Sequence, residues 1–188
     1  MNLRMLEEGL ENMKRVSSLD VSMRILPPNE PGFSDLELTI HSQKQVQGSL
    51  SFDDSGMKET GKDQFTTSLR FDRVFNANDV LYISNTLDTR RDWSEKGTRI
   101  QSFSYSIPYG KNRLTISHSR NRYNQLVFSK PYDFTSSGKS QTSRVSLEHM
   151  ISRSQTERRS MDITVSKRNS HYFINDTEIP VQAMDTSA

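Results

Sequence analysis

Apolar and polar residues alternate along most of the chain beyond residue 44. In the segment RIQSFSYSIPYGKNRLTISHSRNRY (99–123), Phe103, Tyr105 and Ile107 alternate with serines, and the alternation resumes after GKN with Leu114 and Ile116. A period of two over this length predicts strands, and a Gly-containing triplet between two such runs predicts a hairpin turn. The hairpin therefore has one aromatic and aliphatic face and one face of serine and threonine.

The same alternation predicts further strands on both sides of this hairpin. They are VQGSLSF (46–52), FTTSLRF (65–71), LYISNTL (81–87), RVSLEHMI (144–151) and SMDITVSK (160–167). Three polar, Gly-bearing segments between strands predict long loops: DDSGMKETGKD (53–63), DTRRDWSEKGT (88–98) and KPYDFTSSGKS (130–140). Short links such as RVFNAND (73–79) alternate with them, so the sequence predicts an antiparallel meander of about seven strands over 44–167.

The first 41 residues have a different pattern. Leu3, Leu6, Leu10 and Met13 recur at helical spacing and predict an amphipathic helix over residues 2–15. DVSMRIL and DLELTIH alternate on either side of the Pro-rich loop PPNEPGFS, which predicts two paired strands. We expect a small α+β unit, separate from the meander and joined to it near Ser42, whose buried side chains are Leu6, Leu10, Met23, Ile25, Leu36 and Leu38.

Composition helps to choose between two all-β architectures. Only 32% of the residues are hydrophobic and the mean hydropathy is −0.76, which is low for the dense inner faces of a soluble sandwich. A transmembrane barrel needs strands of about 9–11 residues, apolar toward lipid and polar toward the lumen, with short turns at one edge and longer loops at the other. The pattern favours the barrel and leaves the sandwich as the alternative.

Charge and candidate chemistry exclude several classes of function. The net charge of +2 gives no argument for nucleic-acid binding, and there is no cysteine. The four histidines are far apart in sequence and form no metal-binding motif, and GxSxG is absent. No segment has the composition of a signal peptide. We therefore expect neither an enzyme nor a cofactor, and we expect Tyr109, beside its turn, to be a membrane-interface residue.

Several stretches, in this order, resemble one family. LEEGLENMKRVSSLDVSMRILPPNEPGFSDLELTI is similar to the end of the second POTRA domain of the outer-membrane transporters of two-partner secretion, which include the haemolysin activators and the exporters of contact-dependent inhibition toxins. GSLSFDDSGMKETGKDQFTTSLRFDRVFNANDVLYIS is similar to the first barrel strands of that family. YSIPYGKNRLTISHSRNRY and SHYFINDTEI are similar to later strands.

The resemblance implies a fold class and a function. The fold is mainly β: a truncated α+β POTRA unit (1–42), the N-terminal half of an antiparallel transmembrane barrel (43–180) and a short tail (181–188). The POTRA domains would capture the N-terminal secretion domain of an unfolded exoprotein, which would cross the cell outer membrane through the barrel lumen without a cofactor. The implied partners are that exoprotein, outer-membrane lipid and the barrel assembly machinery, with no nucleic acid. Ser68, Arg70, Ser104 and Ser106 would face the lumen, and the residues expected to face lipid are Leu69, Phe71, Phe103, Tyr105, Ile107, Leu114 and Ile116.

The sequence also departs from the family pattern. It offers no signal peptide, no first POTRA domain and no Arg-Gly pair for the family's lumenal loop, so we expect an internal, truncated piece that does not secrete by itself. Two alternatives stay open: a soluble β-rich binding module derived from such a transporter, and an unrelated small outer-membrane barrel.

Overall fold

A computed structural model describes residues 3–27, 35–89, 96–153, 157–180 and 184–187. Within them the chain forms one helix and two sheets. The helix is α1 (Leu3–Lys14), and the smaller sheet pairs β1 (Leu19–Leu26) with β2 (Asp35–Ser42). The strands of the larger sheet are β3 (Val46–Asp53), β4 (Gln64–Asp72), β5 (Val80–Asp88), β6 (Gly97–Tyr109), β7 (Asn112–Val127), β8 (Phe134–Arg153), β9 (Arg158–Ile174), β10 (Thr177–Glu178) and β11 (Met184–Ser187).

The larger sheet is an antiparallel meander. Each strand from β3 to β9 pairs with the next, and β10 and β11 both pair with β9. The seven long strands are those that alternation predicts, so the predicted meander is confirmed and continues beyond residue 167. Among the described residues, no helix is long and apolar enough to cross a membrane.

The pairing register divides the side chains of this sheet between two faces. Phe71, Leu81, Tyr105 and Ile116 occupy directly opposed positions on four successive strands, and Leu69, Ile83 and Phe103 form the neighbouring row. Ile107 opposes Leu114 on the same face. Because opposed residues in an antiparallel pair point the same way, we call this the apolar face and the opposite one the polar face.

The two edges of the sheet differ in their links. We call proximal the edge that holds the links 73–79 and 110–111, and distal the opposite edge, which holds the links 54–63 and 128–133. Gly110, at φ 53°, takes the left-handed conformation that allows the chain to reverse in two residues. In the link 73–79 the carboxylate of Asp79 accepts the N–H groups of Phe75 and Ala77, which holds that turn closed. The N-terminal elements α1, β1 and β2 lie at the proximal edge, where β2 leads into β3.

The strands are staggered. The row that begins at Val46, the first residue of β3, reaches Tyr105, four residues from the proximal end of β6. It then reaches Val145 and Val165, eight residues from the proximal end of β8 and seven from that of β9. Rows of opposed residues therefore lie farther from the proximal end of the strand at β8 and β9 than at β3, which is the shear that strand tilt produces in a barrel wall.

Strands β7 to β9 are longer than the alternation predicts. β8 begins at Phe134, so the second half of KPYDFTSSGKS is strand rather than loop. The prediction was wrong there because serines and Gly138 hide the period of two. Gly138 lies opposite Tyr123, and a Cβ at this glycine would lie 2.4 Å from Cε1 of the tyrosine ring. The absence of a side chain at residue 138 therefore makes room for that ring.

The N-terminal unit has a smaller core than we expect from its pattern. α1 packs on β1, and within the described residues only Val16 and Val21 are fully buried apolar side chains. Leu6, Leu10 and Met23 are partly covered. The expected burial of Ile25, Leu36 and Leu38 is wrong, since they are 61%, 38% and 40% exposed. They share a face with Val21, but α1 covers β1 at its start and no described element covers β2.

Candidate functional site: the polar face and its junction with the N-terminal unit

Hydroxyl groups hydrogen-bond across neighbouring strands on the polar face. The side chains of Ser49 and Ser68 are 2.7 Å apart, as are those of Ser84 and Ser102. Thr66 pairs with Thr86 at 2.9 Å, and Ser146 with Thr164 at the same distance. Each pair joins residues that the register sets opposite one another, so the polar face is a continuous hydroxyl-rich surface.

Arginine side chains lie among the hydroxyl groups of this surface. Arg113 donates to Glu148 on the opposing strand, and Arg144 and Arg168 lie on the same face of β8 and β9. Sequence reasoning named none of these three arginines as a site residue. The sequence does contain a signal for them. If the alternation of β7 is continued through β8 and β9, all three arginines fall on the same face as the serines.

The structure brings the predicted polar residues together on one face. Ser68, Arg70, Ser104 and Ser106 all lie there, with Arg70 opposite Tyr82 and Tyr82 opposite Ser104. The seven predicted apolar residues lie on the other face. Four of them have more than a third of their surface exposed: Leu69, Phe103, Leu114 and Ile116.

Asp72, at the proximal end of β4, ties the sheet to the N-terminal unit. Its side chain is 1% exposed, and one carboxylate oxygen accepts both the Ser17 hydroxyl at 2.8 Å and the Ser18 backbone N–H at 2.9 Å. The other oxygen accepts Arg70 Nε at 2.8 Å. A buried carboxylate is stable in the charged form when its oxygens are satisfied in this way. Sequence reasoning missed Asp72, because its partners are 54 and 55 residues away in the chain.

Further hydrogen bonds join the same two parts. Arg73 Nη2 donates to the Ser42 hydroxyl at 2.9 Å, and Gln47 Nε2 donates to the Ser17 hydroxyl at 3.0 Å. Asn12, on α1, donates from Nδ2 to the carbonyl of Gly110 at 3.2 Å. The N-terminal unit thus contacts two proximal links. It forms its own sheet, as expected, but is held against the meander rather than merely connected to it.

At the distal edge the first loop, 54–63, lies against β5 and β6. Gly61 has φ 113°, and a Cβ there would lie 2.2 Å from Oδ2 of Asp88. Thr98 Oγ1 donates to the carbonyl of Thr60 at 3.1 Å, which ties this loop to β6. The Lys62 ammonium, 3.0 Å from the Asp54 carboxylate, lowers the pKa of Asp54 by hydrogen bonding and by its charge.

No group of three or more His, Cys, Asp or Glu side chains that could hold a metal ion occurs among the described residues. The arrangement offers instead a wide polar surface, an apolar surface behind it and a hydrogen-bonded joint at one edge. Such a surface has the chemistry to line an aqueous passage.

Comparisons with known proteins identify relatives along the whole chain. Residues 32–188 match the family described as haemolysin secretion/activation protein ShlB/FhaC/HecB, and residues 1–27 match the POTRA domain. The outer membrane transporter CdiB of Dickeya dadantii (strain 3937) is 33% identical over 188 residues, which are all of this chain and 34% of that protein. CdiB-2 of Burkholderia pseudomallei (strain 1026b) is 34% identical over 96% of this chain and 31% of its own length. The chain thus spans about a third of these relatives.

Two solved structures share the fold. CdiB from Escherichia coli superposes with a TM-score of 0.91 at 24% identity, over all of this chain and 35% of its own. CdiB from Acinetobacter baumannii does so with a TM-score of 0.80 at 32% identity, over the same shares of the two chains. The predicted partial barrel with a POTRA unit is confirmed, and the alternatives of a soluble sandwich and of an unrelated small barrel are wrong.

Proposed function

This chain belongs to the haemolysin secretion/activation family, and from that premise we propose that it forms part of the wall of an outer-membrane translocator of a two-partner secretion system. Its substrate is an exoprotein of the haemolysin, adhesin or contact-dependent inhibition class. The observation that carries the proposal is the separation of the sheet into a hydroxyl-lined face with arginines and an exposed apolar face.

The polar face suits an unfolded polypeptide in transit. Serine and threonine hydroxyls donate and accept hydrogen bonds, so they replace water around a passing backbone without binding one sequence. The charged side chains stand among these hydroxyls and keep the surface hydrated. We assign Ser68, Arg70, Ser104 and Ser106 to this conduit.

The apolar face suits lipid. The side chains that we assign to lipid contact are Leu69, Phe71, Phe103, Tyr105, Ile107, Leu114 and Ile116. An outward apolar band beside an inward polar surface is what a barrel in a bilayer requires, since only every second residue meets lipid. We also assign Tyr109 to the membrane interface, and its 85% exposure beside the proximal turn supports this. Outer-membrane lipid and the barrel assembly machinery are thus proposed partners, and the cell outer membrane is the proposed location.

The N-terminal unit has a separate role. We assign residues 1–42 to a POTRA domain and 43–180 to the barrel, and the separate two-stranded sheet supports this division. The pairing of β11 with β9 supports extending the barrel part through Ser187. A POTRA strand edge can add an extended segment of a client as a further strand, which would deliver the exoprotein's secretion domain to the conduit.

Thiol labelling tests the proposal, because the chain has no cysteine of its own. We define "the chimaera" as CdiB from Acinetobacter baumannii in which this chain replaces the corresponding third and any cysteine of the remaining two thirds is changed to serine. Ser104→Cys and Phe103→Cys, introduced singly, place thiols on neighbouring residues of β6 that point to opposite faces. We expect a water-soluble maleimide to label the first and not the second, and an exoprotein stalled in transit to cross-link to the first alone. Labelling of both thiols, or cross-linking from Phe103→Cys, would contradict it.

A further inference from the structure

The apolar face changes character toward the distal edge of β6, β7 and β8. In one row of the register Arg99 opposes Arg122, and Arg122 opposes Lys139. Arg120 lies on the same face, two residues from Arg122 along β7, opposite Gln101 and Gln141. We call Arg99, Arg120, Arg122 and Lys139 the distal basic patch. It continues the apolar face that carries Phe103, Tyr105 and Ile116 nearer the proximal edge.

The patch lies at the height where a membrane crossing ends. Arg99 is ten residues from Tyr109, the proximal end of β6, and Arg122 is ten residues from Asn112, the proximal end of β7. Lys139 is fourteen residues from Arg153, the proximal end of β8. A barrel strand crosses the hydrocarbon in about 9–11 residues, so these cations reach the headgroup region of the leaflet away from the N-terminal unit.

Among the described residues, no carboxylate pairs with Arg120 or Arg122, the two cations of the patch on β7. Like charges set directly opposite one another on neighbouring strands are destabilising, yet this row stacks three cations side by side. The positions that share this face beside them on β6, β7 and β8 carry Gln, Asn, Ser and His rather than carboxylates. Within the part of the chain that the structure describes, the buried Nε atoms of Arg120 and Arg122 have no hydrogen-bond partner.

The neighbouring strand limits the patch. His171 continues the row on β9, but its Nδ1 lies 2.7 Å from the Glu178 carboxylate. Lys139 Nζ lies 4.8 Å from the centre of the Phe173 ring, a cation–π distance that holds the ammonium over an aromatic surface. The charge without a partner among the described residues is therefore that of Arg120 and Arg122 on β7, and Arg99 and Lys139 extend the basic surface on either side of that strand.

We propose that the distal basic patch binds the phosphate groups of a lipid headgroup in the outer leaflet, with the acyl chains of that lipid on the apolar face below. Guanidinium groups bind phosphate oxygens through paired N–H donors, and an anion in the row relieves the repulsion among the cations. A lipid fits better than a soluble polyanion, because the cations are continuous with an exposed apolar surface. The proposal rests on the assignment of that face to lipid.

The test measures lipid binding to the purified chimaera by native mass spectrometry in detergent. The probes are lipid A with its phosphates and lipid A from which they have been removed. Arg120→Gln together with Arg122→Gln removes two charges from the patch. Arg144→Gln together with Arg168→Gln removes the same charge from the opposite face and is the matched control. We expect the patch variant to bind phosphorylated lipid A roughly tenfold or more weakly, at the strength typical of basic residues near anionic lipid. The control variant should bind it as the chimaera does.

Three outcomes would overturn the proposal: equal binding by the patch variant, equal binding of dephosphorylated lipid A, or complete displacement of the lipid by free inorganic phosphate. Heat-modifiable migration in gels checks that each variant is a folded barrel. If the glutamine variant does not fold, Arg120→Lys with Arg122→Lys is measured in its place. This variant keeps the charge, so it should retain most of the binding. Labelling at Phe103→Cys and export of the exoprotein are measured separately. Labelling of Phe103→Cys would refute the lipid-facing assignment, and failure of the chimaera to export the exoprotein would refute the transport assignment. Unchanged lipid binding by the patch variant would refute only the proposal on the patch.

Discussion

The two sheets of this chain carry the same alternating pattern, and in both several apolar side chains are left exposed. In the β1–β2 sheet, Ile25 is 61% and Ile40 49% exposed, and in the larger sheet Leu69 and Ile116 are each 40% exposed. The causes differ. The first face has only α1 over part of it, whereas the second is a continuous band across seven strands that suits lipid. Alternation therefore tells which residues share a face, but not what covers that face.

The largest expected effect comes from placing a charge on the band that we assign to lipid. Phe103→Arg should lower the free energy of unfolding of the chimaera in vesicles by about 2–4 kcal/mol, the cost of arginine at the bilayer midplane. Ser104→Arg, the adjacent residue on the polar face, should cost much less because the lumen is hydrated. Urea-driven unfolding measures both. Equal costs would remove the difference that we draw between the two faces.

A smaller effect is expected at the joint between the two sheets. Asp72→Asn keeps the size of the side chain but weakens its bonds to Ser17, the Ser18 N–H and Arg70, so it should cost roughly 1–3 kcal/mol locally. Hydrogen exchange at the Ser18 amide measures it, because opening of the joint exposes this N–H. Asp54→Asn, in the exposed distal loop, is the control and should leave that amide protected. Unchanged protection in the Asp72 variant would show that the joint does not depend on this carboxylate.

The N-terminal unit offers a comparison within a single strand. Val21 is 1% and Ile25 61% exposed, although both point to the same face of β1. Val21→Ala should destabilise the unit by roughly 1–2 kcal/mol, from the lost methyl groups at about 0.8 kcal/mol per buried carbon and the cavity left behind. Ile25→Ala should cost clearly less despite removing more carbon. A larger loss at Ile25 would mean that another surface covers it in solution.

The smallest effect concerns the ion pair of the distal loop, which lies outside both sheets. The Lys62 ammonium holds the pKa of Asp54 below its ordinary value, so the pair is formed above that range and is lost as the pH falls through the pKa of Asp54. Lys62→Gln should raise the pKa of Asp54 back toward the ordinary value without measurable change in unfolding, since exposed pairs contribute little. Titration of the Asp54 carboxyl by NMR checks this. An unchanged titration curve would show that Lys62 does not contact Asp54 in solution.

Much of the fold was predictable from local pattern, and the failures have physical causes. The period of two predicted the seven long strands and both faces, because odd and even positions along a strand of a barrel wall point to opposite sides of the wall. The buried set of the N-terminal unit failed at Ile25, Leu36 and Leu38, because burial depends on what lies above a face and not on the face itself. The start of β8 was wrongly predicted as a loop, because its small polar residues show no alternation of apolar and polar positions.

The junction and the distal basic patch could not be read from the sequence for a different reason. Asp72 meets Ser17 and Ser18 only after the chain has closed on itself, and nothing in the local sequence marks it. Arg99, Arg122 and Lys139 lie on three strands and become neighbours through register alone. Sequence reasoning assigns each cation to a strand, but it cannot align the strands with one another.

The seat that Gly138 provides for the Tyr123 ring has a consequence for how the wall is assembled. If β8 slid by two residues against β7, the ring would meet the Cβ of Ser136 or Ser140 in place of the bare glycine. A slip of that size keeps every side chain on its proper face, so neither lipid nor water would oppose it. The Tyr123 ring therefore fits opposite one residue of β8 only. It would select a single register between β7 and β8 as the strands pair during insertion.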